Sequence, residues 1–160
     1  GIYAVTGNHE YIGGATDAVN YLNKNSINVI RDSAIIIDNK FILIGREDRS
    51  KGQFANGGRK SLNEILENIN SSLPIISMDH QPMNLAEAVS AGIDLQLSGH
   101  THHGQLFPLN YITSKIYEIS RGYMKKGDTH FYVSSGVGGW GPPVRTVSRP
   151  EIIEIVLTFK

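Results

Sequence analysis

Short apolar runs rich in β-branched residues recur along this 160-residue chain, and each is broken within a few positions by glycine or polar residues. Runs of that length and composition are strand signals rather than helix signals. They predict strands at 2–5, 28–31, 34–37, 41–45, 73–78 and 93–97, the third and fourth joined by a turn at Asp38-Asn39-Lys40. Helical patterns lie between them. Ala15, Ala18, Val19 and Leu22 share one side of a helix over 15–24, and Ser61-Leu62-Asn63-Glu64 is a capping box opening a helix that carries Leu62, Ile65, Leu66 and Ile69. Asn84-Leu85-Ala86-Glu87 reads as a second capping box, with Gly92 placed to end its helix. Residues 121–125 and 129–134 pair as a hairpin around Lys126-Gly127-Asp128, and Ile152 to Phe159 reads as a last strand. Strands alternating with helices give an α/β class, with a mixed sheet that turns antiparallel toward the C-terminus. Two polar, Gly-rich stretches read as loops: 46–60, expected to be mobile, and 136–143 around Trp140, expected to wall a cleft or simply to turn.

Composition narrows the function classes. Lys+Arg and Asp+Glu balance at 15 each, which argues against a nucleic-acid or membrane-surface role resting on a broad basic face. With no Cys, any metal is held by His, carboxylate, amide or water. No apolar run approaches the ~20 residues of a membrane span and no signal segment is visible, so localisation is left open. The first residues, Gly1 to Val5, already read as a buried strand without an initiating Met, so the start reads as a cut within one truncated domain covering 1–160. An unpaired edge there is expected to favour self-association.

The chemistry gathers behind three predicted strands. Asn8 and His9 follow the first, His80 the strand at 73–78, and His100 and His102 the strand at 93–97. In α/β sheets, ligands collect beyond the carboxyl ends of the strands. His100 and His102 stand two apart, so an extended segment would send both rings from one face, where each could serve a separate ion. Asn8 and His80 add neutral donors, which leave an ion's charge free to polarise a phosphoryl oxygen. A lone histidine is ordinarily a surface or core residue, and that reading suits His130 in the hairpin. It fits poorly for four of six histidines at strand ends.

These residues resemble a family. Gly7-Asn8-His9-Glu10, Met78-Asp79-His80-Gln81-Pro82 and Gly99-His100-Thr101-His102 match, in order, the last three motifs of the calcineurin-like metallophosphoesterases. The closer likeness is to the bacterial branch with a Gly-His-Thr-His-x-Gly-Gln segment, here Gly99 to Gln105. That branch also shares the late Trp140-Gly141-Pro142-Pro143 and Arg149-Pro150-Glu151. The resemblance implies the C-terminal part of an α/β/β/α sandwich whose first strands are missing. It implies metal-dependent hydrolysis of a phosphomonoester or phosphodiester by a metal-bound hydroxide, with two divalent ions (Mn, Fe or Zn) in the complete domain. Asn8, His80 and His100 would bind one ion and His102 the other, while His9 would protonate the leaving oxygen with Glu10 orienting it.

Two departures from the family stand out. His103 replaces a common glycine and would crowd or extend the site. The upstream Asp-x-His and Gly-Asp-x-x-Asp motifs are absent, so at most one ion is well held and the chain by itself is expected to be weak or inactive. The expected substrate is a small-molecule or lipid-linked phosphate ester, which Arg46 and Arg59 could contact through guanidinium forks; a plain solvated loop is the other reading of those arginines. His100 to His103 is also similar to the His-x-His-x-Asp-His motif of metallo-β-lactamase-like hydrolases, but His103-Gly104-Gln105 stands where that motif needs Asp-His. An inert fragment or binding module is the non-enzymatic alternative.

Overall fold

The computed structural model describes residues 1–70 and 72–158. In chain order the elements are β1 (Ile2–Ala4), α1 (Asn8–Gly13), α2 (Ala15–Lys24), β2 (Ile27–Val29), β3 (Ser33–Ile37), β4 (Phe41–Gly45), α3 (Lys51–Phe54) and α4 (Leu62–Leu66). They continue with β5 (Ile75–Met78), α5 (Leu85–Ser90), β6 (Leu95–Ser98), a 3₁₀ turn at His102–Gly104, α6 (Leu109–Ile116), β7 (Gly122–Lys126) and β8 (Thr129–Val133). Six strands form one mixed sheet in the order β3-β4-β5-β6-β8-β7, antiparallel at both edges and parallel through β4-β5-β6-β8. The α/β class and the mixed sheet are therefore as the sequence implied.

Alternation along the strands sends side chains to two faces. On one, Ile42 and Ile44 of β4 and Phe131 and Val133 of β8 pack with Leu62 and Ile65 of α4 and Leu85 and Ala88 of α5. On the other, Leu43, Ile76 and Leu95 pack with Ile30, with Tyr3, Met78 and Leu97 around them. The parallel run decides where polar loops can gather, because the chain leaves β4, β5, β6 and β8 at one rim. The segments 46–48, 79–81, 99–102 and 134–138 all start there.

Several expectations are corrected. The first strand does not enter the main sheet: among the described residues β1 pairs with β2 alone, in parallel, and Ile2 is exposed. The Ser61–Glu64 capping box forms as read, with Glu64 N–H donating to Ser61 Oγ at 3.2 Å and Ser61 N–H donating to Glu64 Oε2 at 2.7 Å. The second box does not. Asn84 takes a left-handed conformation without capping the helix by its side chain, and Glu87 turns instead to Arg46. Residues 151–158 form no strand, and Phe159 lies outside the described residues. α1 and α6 escaped the sequence reading: α1 is only six residues long, and α6 carries no buried residue to reveal its period. Among the described residues no helix is long and apolar enough to cross a membrane.

Candidate metal centre

The site is built at the rim where the parallel strands end. Behind β1, Gly7 begins α1, and Glu10 bends back so that its carboxylate accepts Gly7 N–H at 2.7 Å. That closed first turn presents Asn8. Its amide oxygen lies 3.1 Å from Nε2 of His80, two residues past β5, and 3.2 Å from Nδ1 of His100, two residues past β6. The two imidazoles meet edge to face with centroids 5.1 Å apart. Gly7 is required by this closeness, since a Cβ there would fall 2.8 Å from His80 Nε2. Three donors from three separate strand ends thus converge on one point. Among the described residues no group of three or more His, Cys, Asp or Glu side chains forms a cation site, so the third donor of this cluster is an amide.

The environment keeps the rings neutral. Burial above all, then the neighbouring His80, pushes His100 down to about 4. Burial likewise lowers His80 against the pull of Asp48 and Glu10. Neutral imidazole nitrogens and an amide oxygen are the donor forms a divalent ion needs. The groups that face His100 are His80, His102, His9 and Asp48, with the Tyr117 ring 6.1 Å away.

These shifts carry a pH prediction. Because the folded His100 pKa lies below the ordinary 6.5, the unfolded chain binds more protons between about 6.5 and about 4. The stability of the metal-free chain is therefore full above about pH 6.5 and is lost as pH falls toward 4. Urea midpoints measured across that range should drop with acidification, and drop less in His100→Gln. Equal slopes for the two proteins would contradict the assignment.

His102 stands apart from the triple. The 100–105 segment is not extended: His100, His102, His103 and Gln105 all have positive φ, between 47° and 66°, and the chain coils into the 3₁₀ turn. The same-face argument for His100 and His102 therefore fails, because their backbone is left-handed rather than pleated. Left-handed non-glycine residues are costly and cluster at functional sites. Thr101 pins the coil, donating to the Ser120 carbonyl at 2.6 Å and accepting His103 N–H at 3.2 Å. Gly104 lets it lie against α6, where a Cβ would meet Asn110 N at 2.3 Å. Burial lowers the His102 pKa, and the Arg145 charge lowers it further. His103 turns away, with Nδ1 3.4 Å from Ser120 Oγ.

His9 is exposed on the first turn of α1, and its charge acts on His80, His100 and His102. Glu10 Oε2 accepts Gly7 N–H, and among the described residues no hydrogen bond joins its carboxylate to the His9 ring. His130 lies exposed on β8 beside the Tyr123 hydroxyl, 2.8 Å away, which suits its surface reading. Arg46 and Arg59 are not open to a phosphate. Arg46 is only 3% exposed and is held by Asp79, Glu87 and the Lys60 carbonyl, while Arg59 donates to Asp79 Oδ1 at 2.9 Å and to the Glu47 carbonyl. The loop expected to be mobile thus begins as a buried ion-pair layer under the site, because Asp79, next to His80, draws both guanidinium groups inward.

Two residues near the rim have roles that the sequence did not assign. Asp48 is fully buried, accepts two bonds from Gln81 Nε2 (2.9 and 3.0 Å) and one from Ser50 N–H, and acts on both His80 and His100. Gln105, also fully buried, clamps the 138–142 loop. Its amide donates to the Trp140 and Pro142 carbonyls, and its oxygen accepts Trp140 N–H at 2.9 Å. Gln105 was visible as the last position of the Gly99–Gln105 motif, and Asp48 as the end of the Gly45–Asp48 stretch that, with Arg59, reads as a phosphate contact or a solvated loop.

Comparison with known proteins agrees with this rim. The family model for calcineurin-like phosphoesterases matches residues 1–104, which hold the whole convergent cluster. An uncharacterized metallophosphoesterase of Aquifex aeolicus is 34% identical over 100% of this chain and 62% of its own length. One of Helicobacter pylori (strain J99) is 34% identical over 100% of the chain and 43% of its length. A bovine transmembrane protein with metallophosphoesterase domain is 32% identical over 98% of the chain and 38% of its length. The chain thus spans less than two thirds of these relatives. No solved structure matches it. Taken with Asn8, His80 and His100 at one point, these matches show that the chain belongs to the calcineurin-like phosphoesterase family.

Proposed function

We propose that this chain carries part of a two-metal centre that hydrolyses a phosphomonoester or phosphodiester, and that Asn8, His80 and His100 hold one divalent ion while His102 serves a second. The observation that carries the reading is the meeting of Asn8 Oδ1 with His80 Nε2 and His100 Nδ1 within 3.2 Å, from three strand ends. The donors fit a borderline ion such as Mn, Fe or Zn, since all three are neutral and two are imidazole nitrogens. An ion bound there would supply a Lewis acid for a phosphoryl oxygen and lower the pKa of water. We assign His9, exposed on α1 next to Asn8, the protonation of the leaving oxygen. The substrate class is a small-molecule or lipid-linked phosphate ester. These residues supply three donors to one ion and a single donor to the other, so the 160 residues by themselves are assigned weak hydrolysis at most.

The test is zinc binding by competition with a chromophoric chelator, alongside hydrolysis of an aryl phosphate and an aryl phosphodiester by the full-length protein. Losing a direct ligand should exceed the ~10–100-fold affinity cost of losing an outer-shell partner. His80→Ala is therefore expected to weaken the tighter zinc site by more than about 100-fold and to remove both activities. Unchanged zinc affinity would refute the ligand assignment.

A further inference from the structure

Asn8 follows a strand that lies outside the sheet presenting His80 and His100, so other contacts must hold the two in register. β1 pairs with β2, and the Ala4 carbonyl accepts Ile30 N–H at 2.9 Å just past that pair. Ile30 closes on the end of β4, where a Cβ on Gly45 would fall 2.4 Å from Ile30 Cβ. That apolar contact seats the two-stranded unit, but it fixes the chain ahead of Asn8 rather than α1 itself. Beyond it, and apart from the contacts of Asn8, the side-chain hydrogen bonds that join residues 6–13 to the main-sheet rim end on one atom among the described residues, Oε2 of Glu47. Thr6 Oγ1 donates to it at 3.0 Å, and the Tyr11 hydroxyl donates to it as well. Thr6 and Tyr11 flank Asn8 in sequence, and both are buried.

Glu47 is built to hold still. It stands two residues past β4 and is 3% exposed. Its N–H donates to Asp32 Oδ1 at 2.9 Å, and its carbonyl accepts from Arg59. Oε1 faces the cations, accepting Arg31 Nε at 2.7 Å with Lys51 Nζ 3.7 Å away. The charge is compensated there, which leaves Oε2 for the two hydroxyls. A carboxylate oxygen can take two donors, and an ionised acceptor makes the stronger hydrogen bonds. Burial, and then the bond to Glu47, raises the Tyr11 phenol, which keeps it a donor.

We propose that Glu47 is a positioning residue for Asn8: by gripping Thr6 and Tyr11 it seats the α1 turn on the main-sheet rim and holds the Asn8 amide oxygen at the His80 and His100 rings. The consequence for metal affinity rests on the reading of Asn8 as a ligand; the positional claim does not.

Thr6→Val combined with Tyr11→Phe removes both hydroxyls, nearly preserves shape and keeps the Arg31–Glu47 pair. A crystal structure of the metal-free full-length double variant reads the position. Asn8 Oδ1 is expected beyond hydrogen-bond reach of at least one of the two rings, and Asn8 left against both rings overturns the proposal. Zinc binding reads the consequence. The double variant should hold the tighter site about 10–100-fold more weakly, the usual worth of an outer-shell partner, and the weaker site as before. In an Asn8→Ala background the same two substitutions should change nothing further. Where Asn8→Ala itself weakens the tighter site, native affinity in the double variant, or an equal further loss in the Asn8→Ala background, overturns the proposal. Should the double variant fail to fold, Tyr11→Phe alone is expected to give the same changes to a smaller degree. If Asn8→Ala leaves zinc affinity unchanged, the ligand reading of Asn8 is refuted and the crystal structure decides the role of Glu47.

Discussion

His9→Ala in the full-length protein is expected to slow hydrolysis of an alkyl phosphate ester by about 10²–10⁴-fold, the usual worth of a positioned general acid. A nitrophenyl ester, whose leaving oxygen needs no proton, should be slowed far less, and zinc content should stay the same. The expectation follows from placement. His9 is exposed on the first turn of α1, immediately after the ligand candidate Asn8, while its own ring is absent from the convergent cluster. Glu10 caps the helix through Oε2, so Glu10→Gln should act on His9 through the α1 turn. Parallel loss of zinc and activity in His9→Ala would make His9 a ligand instead.

Arg46→Ala is expected to destabilise the fold by about 3–5 kcal/mol, the usual result of removing one partner from a buried ion pair. Arg46 is 3% exposed and Asp79 1%, and their contact at 3.4 Å is reinforced by Glu87 at 2.9 Å and by Arg59 on the far oxygen of Asp79. Without the guanidinium, Asp79 keeps a single cation, and Glu87 keeps Leu62 N–H and a distant Asn84 amide. Asp79 precedes His80, so the damage should spread to the ligand cluster. Urea unfolding measures the loss directly. A variant of unchanged stability with a raised KM would restore the role in substrate binding that the burial of Arg46 argues against.

What the sequence revealed and what it hid divide along physical lines. β4 was legible because its apolar run is buried on both faces, as Ile42, Leu43 and Ile44 show. The Ser61–Glu64 cap was legible because both of its hydrogen bonds are local. The Asn84–Glu87 pattern misled because a long-range ion pair with Arg46 outcompeted the local cap. Asn8, His80 and His100 were singled out by their positions behind strands; the parallel pairing of β5 with β6 brings His80 and His100 together, while Asn8 reaches them from behind β1, outside the main sheet. The coil at His100–Gln105 was hidden, since four left-handed non-glycine residues leave no compositional trace. The contacts of Asp48 and Arg145 were hidden for a related reason: their partners lie far away in sequence, at Gln81 and His102.

The central claim is that Asn8, His80 and His100 share one divalent ion. Anomalous diffraction at the zinc edge, from crystals grown with zinc, tests it most directly. The account predicts a peak about 2.0–2.2 Å from Asn8 Oδ1, His80 Nε2 and His100 Nδ1 together. Zinc bound elsewhere, with those three atoms still hydrogen-bonded to one another and no peak between them, would contradict it.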